Sequence, residues 1–100
     1  MSFKVIINKS AIKDIAKAIE YYEKQNDGLG NRFKKLVDEY IQAIEINPNY
    51  GIRYDNVRCL PIKVFPYMIH YSINNKNKTI RIYAILNTKL NPNIWQKRTK

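Results

Sequence analysis

The hydrophobic period of the chain switches from helical to alternating at Pro48, and that change dictates the class of fold. From Ala11 onward, Ile12, Ile15, Ala16, Ile19 and Tyr22 fall at helical spacing, with Lys13, Asp14, Lys17 and Glu20 between them. A second helical pattern takes in Leu29, Phe33, Leu36, Val37, Tyr40, Ile41 and Ile44. Such spacing gathers apolar side chains into one stripe of a helix. Beyond Pro48 the period is two. Leu60, Ile62 and Val64 alternate with Cys59, Pro61 and Lys63, and Tyr67, Ile69, Tyr71 and Ile73 with Met68, His70 and Ser72. Ile80, Ile82, Ala84 and Leu86 alternate with Arg81, Tyr83, Ile85 and Asn87. Alternation puts one face of a strand in the core and the other outside it. With the β-type run Phe3–Ile7 in front, the order is β-α-α-β-β-β. The expected fold is α+β in two layers: a helix hairpin on one face of a mainly antiparallel four-stranded sheet.

Local signals fit that order. Asn8 and Ser10 are good N-cap residues ahead of the first helix. Asn26-Asp27-Gly28 ends it, since glycine takes the left-handed conformation cheaply. Asn47-Pro48 stops the second helix, because the residue before proline is pushed out of the helical region. The short link between the two predicts an antiparallel hairpin. Phe65-Pro66 marks a tight connection between strands, where the missing N–H of proline breaks no ladder bond. Pro61 falls within an apparent strand and calls for an edge or a bulge. Asn74–Lys78 is a polar turn. Residues 91–98, Asn-Pro-Asn-Ile-Trp-Gln-Lys-Arg, read as a C-terminal turn or short helix.

One hundred residues suit a single domain, 1–100, with a modest core. No apolar run approaches a membrane span, and the N-terminus lacks the apolar stretch of a signal peptide, so a cytoplasmic location and no membrane partner are expected. Cys59 is the single cysteine, which rules out a disulfide framework. One His and one Cys cannot make a structural zinc set, and no glycine-rich phosphate loop or paired-carboxylate pattern is present. No metal or cofactor is expected. Eighteen Lys and Arg oppose eight Asp and Glu, a net charge of +10 that favours a polyanionic partner.

If the helices cover the face bearing Tyr67, Ile69 and Tyr71, the opposite face shows Cys59, Lys63, Met68, His70, Arg81 and Tyr83. That face is expected to be polar, basic and partly aromatic. His70 is the one side chain whose unperturbed pKa lies near neutrality.

The arrangement resembles the RelE/ParE superfamily, the toxins of type II toxin–antitoxin modules. The resemblance rests on Ser10-Ala11 with Asp14-Ile15, Ile19–Tyr22, Arg32-Phe33, Ile44–Pro48, Val57-Arg58, Phe65–Tyr71, Ile82–Asn87 and Asn91–Arg98, in that order. It covers nearly the whole chain. It implies a bacterial protein held inactive by a cognate acidic antitoxin, whose partly disordered segment folds on binding. RelE-like branches cleave mRNA on the ribosome and ParE-like branches poison DNA gyrase. Ribosome-dependent mRNA cleavage is the leading expectation, with gyrase inhibition as the alternative and a non-toxic nucleic-acid-binding module as the third.

RNA cleavage without a metal needs a base for the 2′-OH, cations for the phosphorane and an acid for the leaving oxygen. Arg81 and Lys63 suit the cationic role, and Lys89 lies near where the nuclease branch carries a catalytic Arg. Arg58, His70, Tyr83, Trp95 and Arg98 are candidate substrate-binding residues. Arg58 shares the inner parity of Leu60 and is expected at a strand end. Trp95 lies near the catalytic Tyr of the RelE branch; indole cannot do that proton chemistry but can stack on a base. Asn87 stands where many relatives have His, and it cannot titrate. Met68 stands where the nuclease branch tends to have Arg, and it brings no charge.

Overall fold

The computed structural model describes residues 3–49, 52–54 and 57–88, with the backbone alone for 52–54. Strand β1 (Lys4–Ile7) leads into helices α1 (Lys9–Gln25) and α2 (Leu29–Ile46). Strands β2 (Ile52–Tyr54), β3 (Val57–Pro61), β4 (Tyr67–Asn74) and β5 (Thr79–Asn87) follow. The sheet runs β1-β5-β4-β3-β2. β1 pairs parallel with β5, and the other three pairings are antiparallel. The expected β-α-α-β-β-β layer is therefore present, widened by the three-residue strand β2. Among the described residues the β2–β3 pairing stops at Cys59, and Pro61 pairs with Met68 of β4.

The helix hairpin is joined through its own side chains. Gly28 adopts φ 86°, so the turn glycine serves as the left-handed N-cap of α2. The Glu23 carboxylate accepts from Gly28 N (3.0 Å) and Gly30 N (3.0 Å), two of the amides that the first turn of a helix leaves open. It also sits at the positive end of the α2 dipole. A Cβ on Gly30 would stand 2.6 Å from the Ile19 carbonyl oxygen, so glycine is needed where the helices approach.

The core lies between the helices and one sheet face. Phe33, Val37 and Ile44 of α2 and Ala11 and Ala18 of α1 are buried against Ile69, Tyr71, Ile80, Ile82 and Ile85. Tyr22, Phe33, Phe65 and Tyr67 form an aromatic cluster with ring centroids 4.7 to 6.1 Å apart. The Tyr71 hydroxyl donates to the Pro48 carbonyl (2.9 Å), tying the end of α2 to the central sheet. Burial pushes the Tyr71 phenol up to about 12, with the nearby Arg58 charge acting in the opposite direction.

The alternation expected for the last strand fails at one residue. His70 pairs with Ala84 but Tyr71 pairs with Ile82, so Tyr83 is an extra residue on β5. A bulge of this kind reverses the parity beyond it. Ile80 and Ile82 face the core as expected. Past the bulge Ile85 faces the core, while Ala84 and Leu86 join His70 and Met68 on the other side.

Candidate functional site

The face opposite the helices differs from the sequence expectation at its centre. Cys59, His70, Ala84 and Leu86 are all buried, so the middle of this face is closed and largely apolar. His70 has no exposed surface, and its Nδ1 lies 3.2 Å from Cys59 Sγ on the neighbouring strand. Its expected place as an exposed substrate-binding residue is therefore corrected: the bulge brings Ala84 and Leu86 to this side around it. Lys63 is also displaced from the expected face. β3 ends at Pro61, and Lys63 sits in the bend before β4, its backbone N–H donating to the Tyr40 hydroxyl (2.9 Å). Its neighbour Val64 is exposed at φ 78°.

The polar part of the face is its β1–β5 margin. Arg81 is exposed on β5, opposite Ile6 of β1 and Ser72 of β4. Its Nη1 donates to Asn8 Oδ1 (2.8 Å) at the β1–α1 junction. Asn8 is thus the N-cap by position, but its side chain serves Arg81 rather than the helix. The register puts exposed Lys4 on the same side, across from Thr79. Ser72 Oγ and the Tyr83 hydroxyl are hydrogen-bonded (3.0 Å). Arg81 and Tyr83 are the two sequence candidates that share this margin. Arg58 lies at the other end of the sheet, on the helix-side parity, with Nη1 donating to the Asn49 carbonyl (3.3 Å). Lys89, Trp95, Arg98 and the turn at 91–98 lie outside the described residues.

Helix α1 holds this margin in place. β1 ends where Asn8 N donates to the Ile82 carbonyl, and among the described residues no strand continues on that side of β5. Ser10 Oγ donates to the Tyr83 carbonyl (3.0 Å) and Asp14 Oδ2 accepts from Ile85 N (3.1 Å). Ser10 and Asp14 are four residues apart, on one side of the helix. They continue the β5 ladder across the bulge, where buried backbone groups need partners. Sequence reasoning assigned Ser10 to a cap and gave Asn8 and Asp14 no site role. The available signal was a Ser-x-x-x-Asp pair flanking the apolar stripe of α1.

The two candidate positions of reduced chemistry keep their places. Met68 is half-buried on β4, opposite Pro61 and Leu86, with no charge to offer there. Asn87 ends β5 opposite Tyr67. Burial raises the Tyr67 phenol, and its hydrogen bond with Asn87 pulls it partly back.

Charge is divided between the two halves of the sequence. Residues 46–100 hold ten Lys or Arg against the single acid Asp55, so the strand half of the chain supplies nearly all of the net charge. The other seven acids fall between Asp14 and Glu45. Among the described residues no helix is long and apolar enough to cross a membrane, and no group of three His, Cys, Asp or Glu side chains could hold a metal ion.

A helix hairpin on a mixed, mainly antiparallel sheet is the fold expected for the RelE/ParE superfamily, and comparison with known proteins places the chain there. Within it, residues 5–92 match the family described as the ParE toxin of the type II toxin–antitoxin system, parDE, and the chain belongs to that family. Solved structures agree in fold. The chromosomal ParDE toxin–antitoxin system of P. aeruginosa matches with a TM-score of 0.64 at 16% identity, over 86% of this chain and 96% of that one. A mutant of the E. coli toxin RelE in the free state matches at 0.62 with 7% identity, over 99% and 96%. The archaeal RelE–RelB complex of Pyrococcus horikoshii matches at 0.60 with 16% identity, over 91% and 100%. No curated protein matches the sequence.

Proposed function

We propose that this chain arrests growth by binding and blocking a protein target, rather than by cleaving RNA, and is neutralised in the cytoplasm by a cognate acidic antitoxin. DNA gyrase is the target that the ParE resemblance implies. The observation that carries this reading is the burial of His70, the only imidazole in the chain, beside Cys59. A general acid or base must reach the proton it transfers. Met68 is half-buried on β4 and Lys63 sits in the bend before β4, so among the described residues only Arg81 of the expected cations lies on the β1–β5 margin. Arg81, with Lys4 beside it, then serves as a contact residue on the target. The test is inducible expression followed by separate labelling of new DNA and new protein, with purified chain added to a supercoiling reaction. Blocked supercoiling with translation continuing is the expected result. Cleaved mRNA in a translating extract would reject the reading.

Ribosome-dependent mRNA cleavage is the second reading, and the Arg81–Asn8 and Tyr83–Ser72 pairs favour it. They hold a guanidinium and a phenol on the same margin of the sheet, the groups that would serve as cation and proton donor. Lys63 and Lys89 would then add charge, with Arg58, Trp95 and Arg98 holding the RNA strand. Under this reading Arg81→Ala and Tyr83→Phe each abolish cleavage while antitoxin binding persists.

A further inference from the structure

Gly28, Lys78 and Val64 are the described residues with a left-handed backbone. Glycine takes that state without strain. Lys78 is unbranched at Cβ, and its side chain is used within the fold, with Nζ 5.2 Å from the centroid of the Phe3 ring. Val64 is the misfit. Its φ is 78°, where a β-branched residue is a genuine outlier, and its side chain is 78% exposed. The strain has no compensation inside the fold.

The bend between β3 and β4 is built to hold this residue out. Ile62 and Phe65, on either side, are buried in the core. Phe65 packs edge-on against Tyr22 (4.7 Å between ring centroids) and Phe33 (5.1 Å). Ile62 N donates to the Tyr67 carbonyl (2.9 Å) and closes the hairpin. Tyr67 N donates to the Phe65 carbonyl (2.8 Å), and Thr88 N donates to the Pro66 carbonyl (2.8 Å). Lys63 N donates to the Tyr40 hydroxyl (2.9 Å). Pro66 adds a fixed φ of its own. Lys63 and Val64 are the two exposed side chains between the buried anchors. Among the described residues Lys63 forms no ion pair.

We propose that Val64 is a preformed knob for the protein target of this chain, entering an apolar pocket with an acid on its rim opposite Lys63. The proposal rests on the reading above, that the chain acts by blocking a protein. Backbone strain that persists at an exposed position points to function there. Glycine or asparagine would relieve the strain, and the isopropyl group is what valine adds in their place. A tip already fixed by its backbone bonds loses little freedom on binding. The same rigidity selects the occupant. A knob needs a pocket that exists beforehand, which a folded target can offer and a segment that folds on binding does not. A nucleic-acid phosphate would engage Lys63 but give Val64 no apolar partner.

The probe is purified DNA gyrase immobilised on a biosensor, with the full chain in solution. Val64→Asn should raise Tm by about 4 to 8 °C. It should nevertheless bind at least tenfold more weakly, the loss expected when a buried valine contact is removed. Unfolding cannot produce that pairing of a higher Tm with weaker binding. Val64→Thr keeps the shape and the strain but carries a hydroxyl into the pocket. It should bind about fivefold more weakly or worse, with Tm unchanged. Lys63→Glu should slow association. Induced growth arrest should fall in the same order, whichever protein is the target. Equal arrest and equal affinity in Val64→Asn and the parent chain overturn the knob and leave the protein-target reading standing. An unchanged Tm in Val64→Asn also overturns it, because the strain is then absent. So does loss of single-stranded RNA binding in Lys63→Gln while Val64→Asn arrests growth like the parent. Cleaved mRNA in a translating extract, or harmless expression of the parent chain, rejects the protein-target reading itself, and the knob with it.

Discussion

Replacing Asp14 by alanine tests how the margin of the sheet is held. The Asp14 carboxylate accepts from the amide of Ile85, a residue 1% exposed, at a point where β1 has already ended. Alanine removes the acceptor without offering another, so the amide is stranded in the core. A buried donor left without its charged acceptor costs about 1.5 to 3 kcal/mol. For a domain of this size each kcal/mol lowers Tm by about 4 to 8 °C, so the variant should melt roughly 6 to 24 °C lower. Asparagine retains an acceptor oxygen and should recover about half of the loss, since neutral hydrogen bonds are roughly half as strong as charge-assisted ones. Ser10→Ala, one bond back along β5, should cost about 1 kcal/mol because a carbonyl left open is the milder fault. The site-specific assay is amide exchange. In Asp14→Ala the Ile85 amide should exchange faster relative to Ile69 and Ile82 on the same sheet. A variant with full thermal stability, or one whose Ile85 amide stays as protected as its neighbours, would refute the claim that α1 completes the β5 ladder.

Three further outcomes follow from the same geometry. Gly30→Ala should destabilise the hairpin by about 1 to 3 kcal/mol in urea unfolding, the usual range for overpacking, because its Cβ meets the Ile19 carbonyl oxygen at 2.6 Å. Val64→Asn should stabilise the chain by about 1 kcal/mol, since a β-branched residue at φ 78° pays for a backbone state that asparagine tolerates. The folded Tyr71 phenol is raised to about 12 from 10, so its contribution is fully present below pH 10 and is lost as pH rises through 12. That loss is about 2 to 3 kcal/mol in denaturant titrations. Tyr71→Phe should remove this part of the alkaline decline, at the cost of the hydrogen bond to Pro48 at neutral pH.

Most of the architecture was legible because it rests on period and punctuation. Ile69 and Tyr71 are buried beneath the helices as alternation requires, and Pro66 lies in the bend that delivers them. The site was less legible, for two physical reasons. A bulge adds one residue without a compositional mark, so Tyr83 looks like any other alternating residue while it reverses Ala84, Ile85 and Leu86. Polar side chains also bond to distant backbone, as Ser10 does to Tyr83 and Asp14 to Ile85, and local rules score such residues as caps or surface. The strand β2 was missed because three residues carry too little pattern to stand out from a connection.

The bulge also explains how one sheet can be closed at its centre and open at its margin. Before Tyr83 the strand pairs with β1, and its outward side chains, Thr79 and Arg81, meet Lys4, Ile6 and Asn8. After Tyr83 the outward positions fall to Ala84 and Leu86, which share the buried middle of the face with Cys59 and His70. Strict alternation would instead have turned Ile85 outward and sent Ala84 and Leu86 beneath the helices. The extra residue therefore puts a branched side chain into each layer, Ile85 inside and Leu86 outside. It also leaves Arg81 as the last charged group before the face closes. A partner meeting this side of the sheet would therefore encounter the cationic margin of Lys4 and Arg81, and not Ala84 and Leu86 past the bulge, which are buried.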